Sequence, residues 1–134
     1  MAQALNAFGW YQARLGDYAE ARTACEAAFD LHDRHQYQDG QAGTLDSLGY
    51  IAYHTHEHEK ALEYFGRALA IYRDRGNMYG EAESLDHLAA THLAVDRRDQ
   101  ARATWTRALE LYHAQFRTVD ADRVRQRLAA LSQA

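Results

Sequence analysis

Proline is absent from this 134-residue chain, and cysteine occurs once, at Cys25. Without proline, helices must be ended by other turn chemistry. A lone cysteine excludes a disulfide framework and fits a reducing cytoplasm, with Cys25 acting as a small buried apolar group. No apolar run approaches the ~20 residues that cross a bilayer, and no secretory signal opens the chain. Lysine is nearly missing as well: Lys60 stands alone against fourteen arginines, a balance that agrees with a GC-rich genome. P-loop, GxGxxG and nucleophile-elbow motifs are all lacking, so the reading is not an enzyme and no cofactor is implied.

What the chain does have is repetition. Leu5, Leu45 and Leu85 are 40 residues apart, as are Phe8/Leu48/Leu88, Gly9/Gly49/Ala89, Ala21/Ala61/Ala101, Ala28/Ala68/Ala108 and Leu31/Ile71/Leu111. Regular spacing carried by small and apolar positions marks an array of helical units, each too small to bury its own apolar face. Each unit reads as two helices. Leu5, Phe8, Gly9, Tyr11 and Leu15 form one stripe that stops at Gly16-Asp17-Tyr18, and Ala21, Ala24, Cys25, Ala28, Phe29 and Leu31 form the next. Small residues at 21/61/101 and 28/68/108 let two helix axes approach, beside a large residue at 65 and 105.

The runs Leu5-x-x-Phe8-Gly9, Leu15-Gly16-Asp17-Tyr18-x-x-Ala21 and Ala28-Phe29-x-Leu31, with their copies around Leu45, Ala61 and Ala68, resemble the tetratricopeptide repeat signature. That resemblance implies an all-α, right-handed solenoid of three antiparallel helix pairs and a capping helix. The repeats are expected at about 3–40, 41–80 and 81–118, with the cap at about 119–132, all in one domain. Two departures stand out: Asp33, Arg73 and His113 occupy the place of the usual closing proline, and the unit exceeds the usual ~34 residues. Both predict a second helix that runs on by more than a turn, ending near Gly76-Asn77 in a left-handed cap, with Gly40 and Gly80 marking the start of the next repeat. In the cap, Val124, Leu128 and Leu131 form the apolar stripe and arginines the solvated face. The first helix has no polar capping helix before it, which suggests the C-terminal fragment of a longer chain.

Ala4-Leu5-Asn6-Ala7-Phe8-Gly9-Trp10-Tyr11, Asp46-Ser47-Leu48-Gly49-Tyr50 and Asp120-Ala121-Asp122-Arg123-Val124 further resemble the C-terminal repeat region of actinobacterial AfsR/SARP-type transcriptional regulators. The resemblance implies a sensor or scaffold module of a bacterial regulator; it carries over no DNA-binding or ATPase residue.

Residues 1–95 carry 7 basic and 14 acidic side chains, net −7, and residues 96–134 carry 8 and 5, net +3, which sums to −4. The basic end reads as the solvated face of the last helices rather than as a nucleic-acid site, because acidic residues are mixed in and no aromatics interleave. His54-Thr55-His56-Glu57-His58 reads as a histidine-rich turn and not as a metal site, since alternate spacing does not align ligands on a helix. Tetratricopeptide arrays line a concave groove with the first helix of each repeat. Mapped onto this chain, that face takes Asn6, Trp10 and Arg14, then Asp46, Tyr50, Tyr53 and His54, then Glu83, Asp86 and His87, with Arg127 following from the cap. Aromatic rings beside amides and carboxylates suit a protein or peptide partner. The alternatives are a groove that senses a small ligand or signal peptide, and a homodimer formed through the uncapped N-terminal end.

Overall fold

The computed structural model describes residues 2–14 and 16–133, with backbone only at Tyr11 and Arg14. The expected parts played by the Tyr11 side chain and by Leu15 lie outside those residues. Among the described residues there are helices and turns and no strands: α1 (Ala2–Arg14), α2 (Tyr18–Arg34), α3 (Gln38–His54), α4 (His58–Arg75), α5 (Met78–Ala94), α6 (Arg98–Ala114) and α7 (Thr118–Ser132). Consecutive helices pair antiparallel, and α1, α3 and α5 also touch one another side by side, as expected of an all-α solenoid with a terminal helix.

The turns explain how helices end in a chain without proline. Residues 16, 36, 56, 76, 96 and 116, each 20 after the last, all have positive φ. At each, the following N–H reaches back to a carbonyl five residues earlier, as in Tyr37 N to His32 O at 2.9 Å and Arg117 N to Tyr112 O at 2.9 Å. The left-handed residue itself bonds three residues back, as in Gly76 N to Arg73 O at 3.2 Å, and the pair of bonds is the Schellman closure of a helix. The next residue is the N-cap of the following helix, and at Asn77 its side chain closes the cap, Asn77 Oδ1 accepting from Gly80 N at 3.0 Å. Glycine occupies the left-handed position only at Gly16 and Gly76; Gln36, His56, Asp96 and Phe116 adopt it at a cost of about 1 kcal/mol each.

Because every turn is alike, the extra length of the repeat is shared. Both helices of repeat two are long, 17 residues in α3 and 18 in α4, rather than the second alone. Helices also begin at Gln38 and Met78, a few residues before the expected boundaries, so Gly40 and Gly80 lie inside the first helical turn. Their role is contact: a Cβ on Gly40 would run into the His32 ring, and one on Gly80 into the Tyr72 ring.

The seams are built from small residues, as their spacing implies. Ala21, Ala61, Ala101, Ala28, Ala68 and Ala108 are fully buried, and Gly9 and Gly49 press against Cys25 and the Phe65 ring. The largest core cluster lies at the C-terminal end, where Trp105, Leu111 and Tyr112 pack with Leu85, Val124 and Leu131. Val124 and Leu131 therefore dock α7 as a cap with its apolar stripe inward, and Leu128 packs beside them.

Candidate interaction groove

Two clefts are lined mainly by residues of α1, α3 and α5. The first, of about 490 Å³, runs from Asn6 and Trp10 of α1 across Asp46 of α3 to Tyr72 of α4 and Glu83 of α5. The second, of about 310 Å³, is lined by Tyr50, Tyr53 and His54 of α3, Phe65 of α4, His87 of α5 and Arg127 of α7. Nine of the residues mapped to the groove from the sequence line these two clefts: Asn6, Trp10, Asp46 and Glu83 the first, and Tyr50, Tyr53, His54, His87 and Arg127 the second. The Arg14 side chain lies outside the described residues.

Asp86 does not face open solvent. It is 5% exposed and accepts from Trp105 Nε1 at 2.9 Å, Tyr112 Oη at 2.8 Å, Arg123 Nη1 at 3.2 Å and Arg123 Nη2 at 2.5 Å. Burial alone would raise its carboxyl, but the bonds from Arg123, Trp105 and Tyr112 outweigh that and hold it below the usual carboxylate value. Asp86 is therefore a core carboxylate clamping α5 to α6 and α7, and the reading of it as a free groove ligand is corrected. The donors at 105, 112 and 123 all lie in the sequence, but nothing in the 40-residue spacing says that they converge.

Asn6, Asp46 and Asp86 occupy one repeat position with three outcomes. Asn6 Oδ1 is 3.8 Å from Cys25 Sγ, whose thiol burial pushes up to about 11. Asp46 Oδ1 accepts from Ser84 Oγ at 3.2 Å, and its carboxylate meets His87 Nδ1 at 3.1 Å. Burial lowers the His87 imidazole, but Asp46, with Asp86 and Glu83 beyond it, raises it to about 9, so His87 is a cation at neutral pH.

In the second cleft, His54 lies against three tyrosines: its ring centroid is 4.2 Å from that of Tyr50, 5.2 Å from that of Tyr53 and 6.0 Å from that of Tyr18. His56 takes the left-handed turn position, and its ring is 5.9 Å from that of His58. Among the described residues, no group of three or more His, Cys, Asp or Glu side chains is placed to hold a metal ion. Lining residues that the groove mapping missed are Tyr37, Asp39 and Tyr72, which reach the first cleft from a turn, a helix start and a second helix.

Stacked helix pairs with a repeating seam define a helical repeat array of the protein-interaction class. The comparisons agree: the tetratricopeptide repeat family matches residues 1–74 and again residues 40–114, and the chain belongs to that family, a non-catalytic interaction fold. It is also similar to Regulatory protein AfsR of Streptomyces griseus, 34% identical over 82 residues, which is 61% of this chain and 8% of that protein. In fold it is similar to aspartyl phosphate phosphatase F from Bacillus subtilis (TM-score 0.80, 12% identity, 98% of this chain and 40% of that one). BtubC from P. vanneervenii is likewise similar (TM-score 0.74, 15% identity, 98% of this chain and 63% of that one). Among the described residues, no helix is long and apolar enough to cross a membrane.

Proposed function

We propose that the chain is the protein-recognition array of a cytoplasmic bacterial transcription regulator similar to AfsR, and that its concave groove takes an extended peptide segment of a partner. The observation that carries this reading is the run of accessible aromatic rings on the first helices: Trp10 is 44% exposed, and Tyr50 and Tyr53 line the second cleft. Tyr50 and Tyr53 pack on one side against the cores around Ile51 and Phe65 and line the cleft with the other, and peptide recognition uses such half-buried rings as anchors. Regulator context rests on the similarity to AfsR alone, and this chain spans 8% of that protein.

The reading leaves nucleic acid out. Every arginine of the basic end has a contact within the chain: Arg97 with Glu59, Arg98 with Leu131 O, Arg102 with Asp99, Arg107 with Glu110, Arg117 with Glu83, Arg123 with Asp86, Arg125 with Asp122, and Arg127 over the Trp105 ring. Engaged guanidinium groups make a poor phosphate surface.

The test is a pull-down from native cytoplasm with wild type, a Trp10→Ala/Tyr50→Ala double variant, and Glu63→Ala on the exposed side of α4 as control, each first checked for folding. Partners kept by the control and lost by the double variant support the groove. Partners kept by both place recognition elsewhere. A second reading, self-association through α1, is favoured by Phe8, which is 50% exposed on that helix. A concentration series in light scattering separates it from the first.

A further inference from the structure

The third repeat contains a built-in example of what the second can bind. Asp86 is met by Arg123, 37 residues later in the next first-type helix. The same step from Asp46 leads to Glu83, and the same step from Asn6 leads to Gly43. Position by position, Tyr72 corresponds to Tyr112, whose hydroxyl donates to Asp86 at 2.8 Å. The second repeat therefore keeps the carboxylate and the tyrosine of the third, while the place of its guanidinium is taken by another carboxylate.

The first cleft opens at this place. Its lining among the described residues includes Asp39, Asp46 and Glu83 and no Arg or Lys, and His32 is kept below the usual histidine value by burial. Gly43 leaves the floor open: a Cβ there would be 3.8 Å from both Asn6 Nδ2 and Tyr72 Oη. Asp46 takes two donors, Ser84 and His87, where Asp86 accepts four bonds. Asp39 Oδ1 is buried with no hydrogen-bond partner among the described residues, the Arg75 Nε being 3.6 Å away. The Tyr72 hydroxyl is pushed up by burial and then by Asp46, Glu83 and Asp39, three carboxylates that all act on it. His87 and Arg117 compensate Asp46 and Glu83 from outside the lining.

We propose that this cleft seats an arginine side chain of a partner protein segment, its guanidinium on Asp46 beside Tyr72 and Glu83 as Arg123 sits on Asp86, with the flanking residues against Trp10 and Tyr37. A planar guanidinium suits the site because it forks across a carboxylate and stacks on rings, which Lys does less well. The inference rests on the groove reading above and specifies its ligand chemistry.

The experiment uses an array of immobilised heptapeptides of randomised sequence probed with the purified chain, followed by anisotropy titration of the best binder in arginine and citrulline versions. Arginine enriched at one position is expected, together with a loss of about tenfold or more on replacement by citrulline, which keeps the shape and removes the charge. Glu83→Arg supplies the guanidinium from within and should block the arginine peptide by a similar factor; if that variant does not fold, Asp46→Asn serves in its place. Peptides bound without arginine enrichment, or bound equally by Glu83→Arg, overturn this inference, and the groove reading stands if the Trp10→Ala/Tyr50→Ala double variant abolishes that binding. No peptide retained at all overturns both.

Discussion

The first and third repeats share a backbone and differ in what they bury. In α5, eight residues are buried, including Glu81, Ser84 and Asp86, while α1 buries only Gly9 and Ala13 among its described side chains. Where the third repeat places Asp86, Trp105 and Tyr112 in one bonded cluster, the first has the smaller groups Asn6, Cys25 and His32, and Phe8 and Trp10 on α1 are about half exposed. Repeat geometry therefore fixes where helices go, and the side chain at each position decides whether it becomes core or surface. Among the described residues, burial is denser around α5, α6 and α7 than on α1, which has helix neighbours in α2 and α3 only.

The largest expected effect tests that contrast directly. Asp86→Ala leaves the Trp105 N–H, the Tyr112 hydroxyl and the Arg123 guanidinium without their acceptor and should lower stability by about 3–5 kcal/mol. Asn6→Ala at the equivalent position should cost less than about 1 kcal/mol, and urea melts of the two variants compare them. Because the Asp86 carboxyl is held low in the folded state, its contribution is present above the unfolded carboxylate value near ~3.9 and is lost as pH falls through the lower folded value.

Next in size is the methyl at the seam. A Cβ on Gly9 would lie 2.6 Å from Cys25 Sγ and 2.9 Å from the Ala21 carbonyl, so Gly9→Ala should destabilise by about 1–3 kcal/mol, although the third repeat carries Ala89 there. Gly66, with nothing near its Cβ position, gives the opposite sign: Gly66→Ala should stabilise by about 0.5–1 kcal/mol. Smaller still are the turns. Gly76→Ala forces a side chain into the left-handed region at a cost of about 1 kcal/mol, and His56→Gly relieves a similar strain at the equivalent turn, both read from thermal midpoints.

The last contrast is a pH window. The folded-state value of His87, raised to about 9, gives stability that is fully present below the unfolded histidine value near ~6.5 and is lost as pH rises through about 9. A decline in melting temperature across that range should be present in wild type and absent in His87→Gln. If both decline alike, the Asp46–His87 pair is not its source.

The 40-residue period made the helix pairing legible because small seam positions such as Ala61 and Ala101 leave little choice in packing, and Val124 and Leu131 identified the cap by spacing alone. The turns were harder to read. Gln36, His56, Asp96 and Phe116 carry no glycine signal, and only their common 20-residue step from Gly16 and Gly76 reveals them. The repeat register shows which positions are equivalent, but not their depth: Asp86 and Asp46 look equivalent in sequence and are separated by which donors surround them in space. Tyr37 and Tyr72 escaped notice because they reach the cleft from outside the first helices.

Native-state hydrogen exchange tests the central contrast most directly. Amides of α5, α6 and α7 should exchange most slowly, and those of α1 and α2 through local opening at lower free energy, with Asp86→Ala removing the difference. Uniform protection along the chain in wild type, or a slow N-terminal pair beside a fast C-terminal cap, would contradict the account.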